Sequence, residues 1–162
     1  MIAASEQKLY DTLDQLSIVY NRYEHPPVYT VDEAKKYWQD IKGAHSKNLF
    51  LRNNKGSRHY LVVLEETKTA DLKGLSDRLD AGKLSFASER RLTEHLGLET
   101  GAVSPFGLIN DSQKAVTAVI DRDLSKNDLV NFHPNVNTAT ITISYSDFEK
   151  FLKHCGNEVV YI

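Results

Sequence analysis

A chain of 162 residues with 20 basic against 22 acidic side chains and a net charge of -2 is long enough for one domain around one sizeable core, and too evenly charged for broad, sequence-independent attraction to nucleic acid. A single cysteine, Cys155, excludes an internal disulfide, and no apolar run approaches the roughly 20 residues of a membrane span. Met1-Ile2-Ala3-Ala4-Ser5 has neither the basic start nor the apolar run of a secretory leader, so a cytoplasmic protein is expected.

Ser5 is expected to cap a first helix reaching about Ser17, in which Leu9, Leu13 and Leu16 form one apolar stripe. Ile18 to Glu24 reads as a strand, stopped at His25-Pro26-Pro27 because proline offers no donor and restricts the residue before it. Val28-Tyr29 continues extended, and Thr30 with Glu33 has the spacing of a capping box for a second helix from Val31 to about Trp38. Leu49-Phe50-Leu51 is then a short continuous apolar run, the pattern of a strand buried on both faces. Asn53-Asn54-Lys55-Gly56 supplies the turn of a hairpin whose second strand is His59 to Leu64. Lys47 thereby falls at the mouth of a buried strand, where a rigid element aims its charge; a merely solvated lysine is the competing reading.

Thr69 or Asp71 is placed to cap a short helix through Leu72, Leu75 and Leu79, and Lys83 to Ala87 alternates like a strand. Ser88 opens a helix carrying Leu92 and Leu96, with Gly97 suited to its left-handed end. Gly101-Ala102-Val103-Ser104-Pro105-Phe106-Gly107 is too rich in glycine and proline for a regular element, yet apolar enough to be a packed, shaped loop. A turn at Asn110-Asp111-Ser112, a strand from Ala115 to Asp121 and a polar loop from Asn131 to Asn137 follow. Thr138 to Ser144 is strongly β, Ser146 is expected to cap a helix bearing Phe148, Phe151 and Leu152, and Val159 to Ile162 reads as a last strand. Strands interleaved with helices, plus a hairpin, imply an α/β fold: one domain over residues 1–162, a mixed β-sheet with surrounding helices.

Several chemistries fail on motif grounds. The chain has no Gly-x-Ser-x-Gly elbow, and its six histidines show no His-Glu-x-x-His spacing, so neither a serine hydrolase nor a metal site is expected. Cys155 lies beside Phe151 and Leu152 on an amphipathic helix, as a small buried apolar side chain does. The Gly101 loop lacks the Lys-Ser/Thr of a phosphate loop. Three places remain for chemistry: Lys47, the loop Gly101 to Gly107, and the loop holding His133.

Lys47-Asn48-Leu49-Phe50-Leu51-Arg52-Asn53, His59 to Leu64, Gly101 to Asp111 and Phe132-His133-Pro134, in this order, resemble the YbaK/prolyl-tRNA-synthetase-associated editing family, and within it the free-standing Ala-tRNA(Pro) deacylases. The resemblance spans nearly the whole chain. It implies hydrolysis of the ester joining a wrong amino acid to the terminal adenosine of tRNA for proline, without metal or other cofactor. By the same resemblance Lys47, Asn48 and His133 are catalytic, and Gly101, Ser104, Pro105, Phe106 and Gly107 line the bound 3' end. No side-chain nucleophile is implied; water attacks with help from the substrate's own ribose hydroxyl. The implied partners are the acceptor end of tRNA for proline and, transiently, prolyl-tRNA synthetase, with no membrane and no DNA. Cys-tRNA(Pro) deacylation, and a non-catalytic module binding a tRNA end or a synthetase, are the alternatives.

Lys47 and Asn48 are adjacent, so a regular strand points them to opposite faces; they share a pocket only if the strand starts irregularly, and otherwise Asn48 pins the Gly101 loop. Alanine is smaller than proline, so a tighter second pocket separates them by size. Val28, Val31, Leu49 and Phe50 are the candidate walls by their position near the motifs.

Overall fold

In a computed structural model residues 2–162 are described; Met1, part of the opening stretch read above, lies outside the described residues. Five helices, α1 (Ala4–Gln15), α2 (Val31–Trp38), α3 (Leu72–Leu79), α4 (Glu89–Leu96) and α5 (Tyr145–Cys155), accompany eight strands. The strands are β1 (Asn21–Glu24), β2 (Ala44–Asn53), β3 (His59–Glu65), β4 (Leu84–Phe86), β5 (Val116–Ile120), β6 (Leu129–Phe132), β7 (Ala139–Ser144) and β8 (Val159–Tyr161). They form one mixed sheet in the order β1-β7-β6-β2-β3-β5-β8, with β4 also paired to β2. The α/β architecture expected from the sequence is therefore present.

The sheet separates two apolar clusters, because successive strand residues face opposite ways. Phe50, Leu61, Val63, Ala118 and Ile120 join the larger cluster with Leu9 and Leu13 of α1, Leu92 and Leu96 of α4, and Phe148 and Phe151 of α5. Leu51, Tyr60, Val62, Leu64 and Val119 meet Leu75 of α3 in the smaller one. Leu61, Val62 and Val63 are consecutive and all fully buried, so β3 is covered on both faces, as its unbroken apolar run implies.

The boundaries differ from the sequence reading where capping or pairing decides them. Ala3, not Ser5, precedes α1, and the chain turns at Ser17 (φ 57°), so Ile18 enters the core and β1 keeps only the four residues that pair with β7. Thr30 caps α2 by accepting from the Glu33 N–H, but the Glu33 carboxylate takes the Thr30 hydroxyl rather than a backbone donor, so only half of the capping box forms. Asp71 is the cap of α3, accepting from the Gly74 N–H, and a Cβ at Gly74 would lie 2.4 Å from Asp71 Oδ2. That glycine, a cost to the helix by propensity, is what lets the cap approach. Ser144 rather than Ser146 caps α5, accepting from the Asp147 N–H.

Three elements were hidden in the sequence, one of them a 3-10 turn at Arg122–Lys126. The glycine- and proline-rich stretch contains a 3-10 turn, Pro105–Asn110, capped by Ser104. β6 begins before the stretch read as the His133 loop; its polar Asn131 looks like loop composition but is buried, donating to the Lys42 and Ala44 carbonyls. Those two bonds fasten β6 to the start of β2.

His59, at the β3 end of the hairpin, stacks on Phe50 at 5.6 Å and meets the tilted ring of His95 at 4.2 Å, and its Nε2 accepts from Arg91 at 2.9 Å. Burial first, then the charges of His95, Arg91 and Arg52, push its pKa down to about 4. The unfolded chain, with an ordinary histidine pKa near 6.5, binds the proton first, so stability should fall as pH drops from about 6.5 to 4, by on the order of 3 kcal/mol from this residue. His59→Gln keeps an acceptor for Arg91 but does not titrate; its urea midpoint should fall less than wild type's over that window, and parallel curves would contradict the assignment.

Candidate active site

One edge of β2 is only partly covered. β6 pairs with it at Ala44 and His45, and β4 at Leu51, Arg52 and Asn53, with a further bond from the Ala87 N–H to the Phe50 carbonyl. Between these contacts Ser46, Lys47, Asn48 and Leu49 have β3 on one side and no strand on the other. A cleft of about 270 Å³ opens at this gap.

The register with β3 is unbroken from Ser46 to Arg52, so the strand is regular and Lys47 and Asn48 do point to opposite faces. Both border the cleft because it wraps around an open edge, an arrangement that the irregular start considered from the sequence does not require. Lys47 is also not at the strand's mouth: β2 begins three residues earlier, at Ala44. Among the described residues Lys47 Nζ has no carboxylate within ion-pair distance, and no Asp or Glu lines the cleft. The cleft's charge is therefore positive and uncompensated, suited to an anionic group or to negative charge that develops during a reaction.

Asn48 Nδ2 donates to the Val103 carbonyl at 3.1 Å, and its Oδ1 accepts from the Ser46 hydroxyl at 3.1 Å. This clamp holds the Gly101 loop against β2. Gly101 has φ +90°, and a Cβ there would sit 2.7 Å from Tyr29 Cδ1, so the loop closes on the Tyr29 ring only because no side chain intervenes. The His45 carbonyl accepts from β3's side and the Phe50 carbonyl from β4's, so along this stretch odd-numbered peptide groups face β3 and even-numbered ones face the gap. The Asn48 main-chain N–H accordingly points to the side that lacks a strand.

His133 closes the cleft from the segment after β6. Its Nδ1 lies 2.8 Å from the Ala139 carbonyl, which only accepts, so Nδ1 carries the proton and Nε2 keeps the lone pair in the neutral ring. Burial, and to a smaller extent the charge of nearby His25, hold its pKa below the usual histidine value against the opposing hydrogen bond to Ala139. The ring is thus neutral at physiological pH.

The remaining wall is α2. Val31, Ala34 and Trp38, at spacings of three and four, turn one face of that helix to the cleft. Trp38 also stacks on His45 at 4.3 Å, and Tyr37 on His25 at 5.3 Å. Ala34, Trp38, Tyr29, Thr30, Ser46 and Val103 were not singled out from the sequence, although the Val31-Ala34-Trp38 stripe is legible there as the face of an amphipathic helix.

Of the residues expected to contact substrate, Val28, Val31, Leu49, Gly101, Lys47, Asn48 and His133 line this cleft. Four do not. Ser104 is fully buried and caps the 3-10 turn, and Pro105 is buried in that turn. Phe106 is fully buried edge-on to Phe132 and Phe151, and Gly107 lies so close to Leu98 that a Cβ would be 2.7 Å from it. They shape the loop from beneath. Phe50 is corrected likewise: its parity turns it into the larger core, against His59, rather than into the space bounded by Val28, Val31 and Leu49. Cys155 is buried, and burial pushes its thiol up to about 12, so no thiolate nucleophile forms there. Among the described residues no group of three or more His, Cys, Asp or Glu is gathered to hold a metal, and no helix is long and apolar enough to cross a membrane.

The family model for the aminoacyl-tRNA editing domain matches residues 25–151, from the histidine beside the cleft through most of α5. The chain belongs to that family. It is 47% identical over 155 residues to the prolyl-tRNA editing protein ProX of Acetoanaerobium sticklandii, covering 94% of this chain and 93% of the relative. Prolyl-tRNA synthetase associated domain-containing protein 1 of Danio rerio is 37% identical, over 96% of this chain and 85% of that one. A solved structure of a proposed trans-editing enzyme for prolyl-tRNA synthetase superposes with a TM-score of 0.74 at 21% identity, over 99% of this chain and 98% of that one, and so shares the fold. The residues that line the cleft, from Val28 to His133, all fall within the matched region.

Proposed function

We propose that the protein is a trans-editing deacylase that removes a wrong amino acid, alanine in the first instance, from tRNA for proline. The observation that carries this reading is the cleft at β2's open edge, where an unpaired lysine, a neutral histidine, a free backbone donor and a glycine loop converge on one space. The ProX relative, an editing protein for prolyl-tRNA by name, supports the substrate class. Its partner is the acceptor end of tRNA for proline in the cytoplasm, and prolyl-tRNA synthetase is the source of the mischarged substrate.

An aminoacyl ester is already activated, so the protein must chiefly orient it and stabilise the oxyanion. In this mechanism the Lys47 ammonium and the Asn48 N–H meet the negative charge that grows on the ester oxygen. Water, positioned by the substrate's ribose hydroxyl and by His133 Nε2, attacks the carbonyl carbon. The bond to the ribose oxygen breaks, that oxygen takes the proton, and free amino acid and uncharged tRNA leave.

Size sets the selection. Val28, Val31, Ala34 and Leu49 bound a small apolar space, and a proline ring forced into it must displace packed side chains. Overpacking of this kind costs about 1–3 kcal/mol, enough to slow prolyl-tRNA roughly 5- to 150-fold. Assays with tRNA for proline charged separately with alanine, cysteine and proline should show alanine released fastest and proline retained. Equal rates for alanine and proline would end the sieve, and faster cysteine release would reassign the substrate. Leu49→Ala should narrow the alanine-to-proline ratio while costing stability, since Leu49 also packs on the smaller core.

A further inference from the structure

The cleft continues past Gly101. A second depression of about 230 Å³ runs along the same open edge of β2 and shares Asn48, Leu49 and Val103 with the first. Phe50 and Leu92, both buried, underlie it, and its outer wall is the ring of Phe86, 61% exposed. Phe86 and Tyr29, the latter 65% exposed, are the two most exposed aromatic side chains among the described residues, and they stand at opposite ends of this two-part cleft. β4 is only three residues long and ends at Phe86, so no further strand residue covers the ring. Phe86 lies opposite Leu51 in the ladder, which puts it on the Lys47 and Leu49 face of β2, roughly 13 Å along the strand from Lys47.

The depression's one ionisable side chain is Glu89, whose Oε1 accepts from the Thr100 hydroxyl at 2.9 Å. A carboxylate repels phosphate, and its remaining lone pairs accept from an exocyclic amino group. An apolar slot with an exposed ring on one side and an acceptor at its rim selects a flat, uncharged, amino-bearing ring.

We propose that this second depression seats the adenine of the terminal adenosine, stacked on Phe86, while the ester lies over Asn48 and Gly101 and the acyl group enters the first cleft. The proposal rests on the deacylase reading of the neighbouring cleft and names the part of the substrate that the apolar wall there does not hold. A base-stacking platform is tolerant of sequence, so it anchors the one nucleotide that every charged tRNA carries at its end without selecting among tRNAs.

The test is a binding measurement on uncharged RNA, with an acceptor-stem hairpin ending in single-stranded CCA whose terminal adenine is replaced by fluorescent 2-aminopurine. Wild type should quench the probe. Phe86→Ala, a truncation at an exposed position, should raise Kd roughly 5- to 150-fold and abolish the quench, the loss of one base–aromatic stack, and Phe86→Trp should restore both. Equal Kd and quench in wild type and Phe86→Ala would overturn the proposal, as would a quench that disappears with Tyr29→Ala but survives Phe86→Ala. The deacylase reading fails separately: wild type would then quench the probe in a Phe86-dependent way yet leave alanyl-tRNA intact.

Discussion

Replacing Lys47 by alanine should lower the single-turnover rate of alanyl-tRNA deacylation by on the order of 10²–10³, the usual effect of removing one positioned electrostatic group from a reaction that builds negative charge. Its ammonium is the cleft's permanent cation, and no carboxylate among the described residues neutralises it. Stability should hardly change, since the side chain is half-buried and forms no ion pair, and such sites usually move folding by less than about 0.5 kcal/mol. Lys47→Arg restores charge in a broader, planar group and should recover only part of the rate. A Lys47→Ala enzyme that melts normally and deacylates within a fewfold of wild type would remove the lysine from the mechanism.

His133 should account for a second loss, on the order of 10² in rate, at the low end for a positioned proton-handling side chain. Alanine is a poor probe here, because it also strips the donor from the buried Ala139 carbonyl, which costs about 1–3 kcal/mol of stability. His133→Asn is the cleaner variant, since an amide N–H can still serve that carbonyl while no lone pair of a titrating ring remains. The pH dependence supplies the sign. The neutral ring is the active form and burial holds its pKa below the usual histidine value, so wild-type activity should persist as pH falls through 6.5 and decline only further into acid. The acid limb assigned to this ring should vanish in His133→Asn. An unchanged limb, with only the melting temperature reduced, would make His133 a purely structural residue.

The difference between what the sequence disclosed and what it hid has a physical pattern. Elements with a strong period and a side-chain cap were legible: α4, with Ser88 before it and left-handed Gly97 after it, lies where spacing puts it. Elements that depend on distant partners were not. Asn131 looks like a loop residue until the Lys42 and Ala44 carbonyls, nearly ninety residues earlier in the chain, take its two amide hydrogens. The same logic governs the cleft. Lys47 and Asn48 stand out as polar residues preceding an apolar run, but their sharing of one space follows from β6 and β4 covering only the two ends of β2, a fact of sheet topology that local sequence does not carry. Phe50 and Phe106 sit inside the very motifs that mark the family, and both turn out to support the site from the core.

In the proposed mechanism the open edge of β2 is a place of catalysis as well as binding. Incubating purified protein with a large excess of tRNA for proline charged with labelled alanine measures this most directly. The expected result is release of many equivalents of alanine per protein molecule, abolished in a Lys47→Ala, His133→Asn double variant that still binds the RNA. Tight binding of the charged tRNA with the ester left intact, by a wild-type protein shown to be folded, would contradict it.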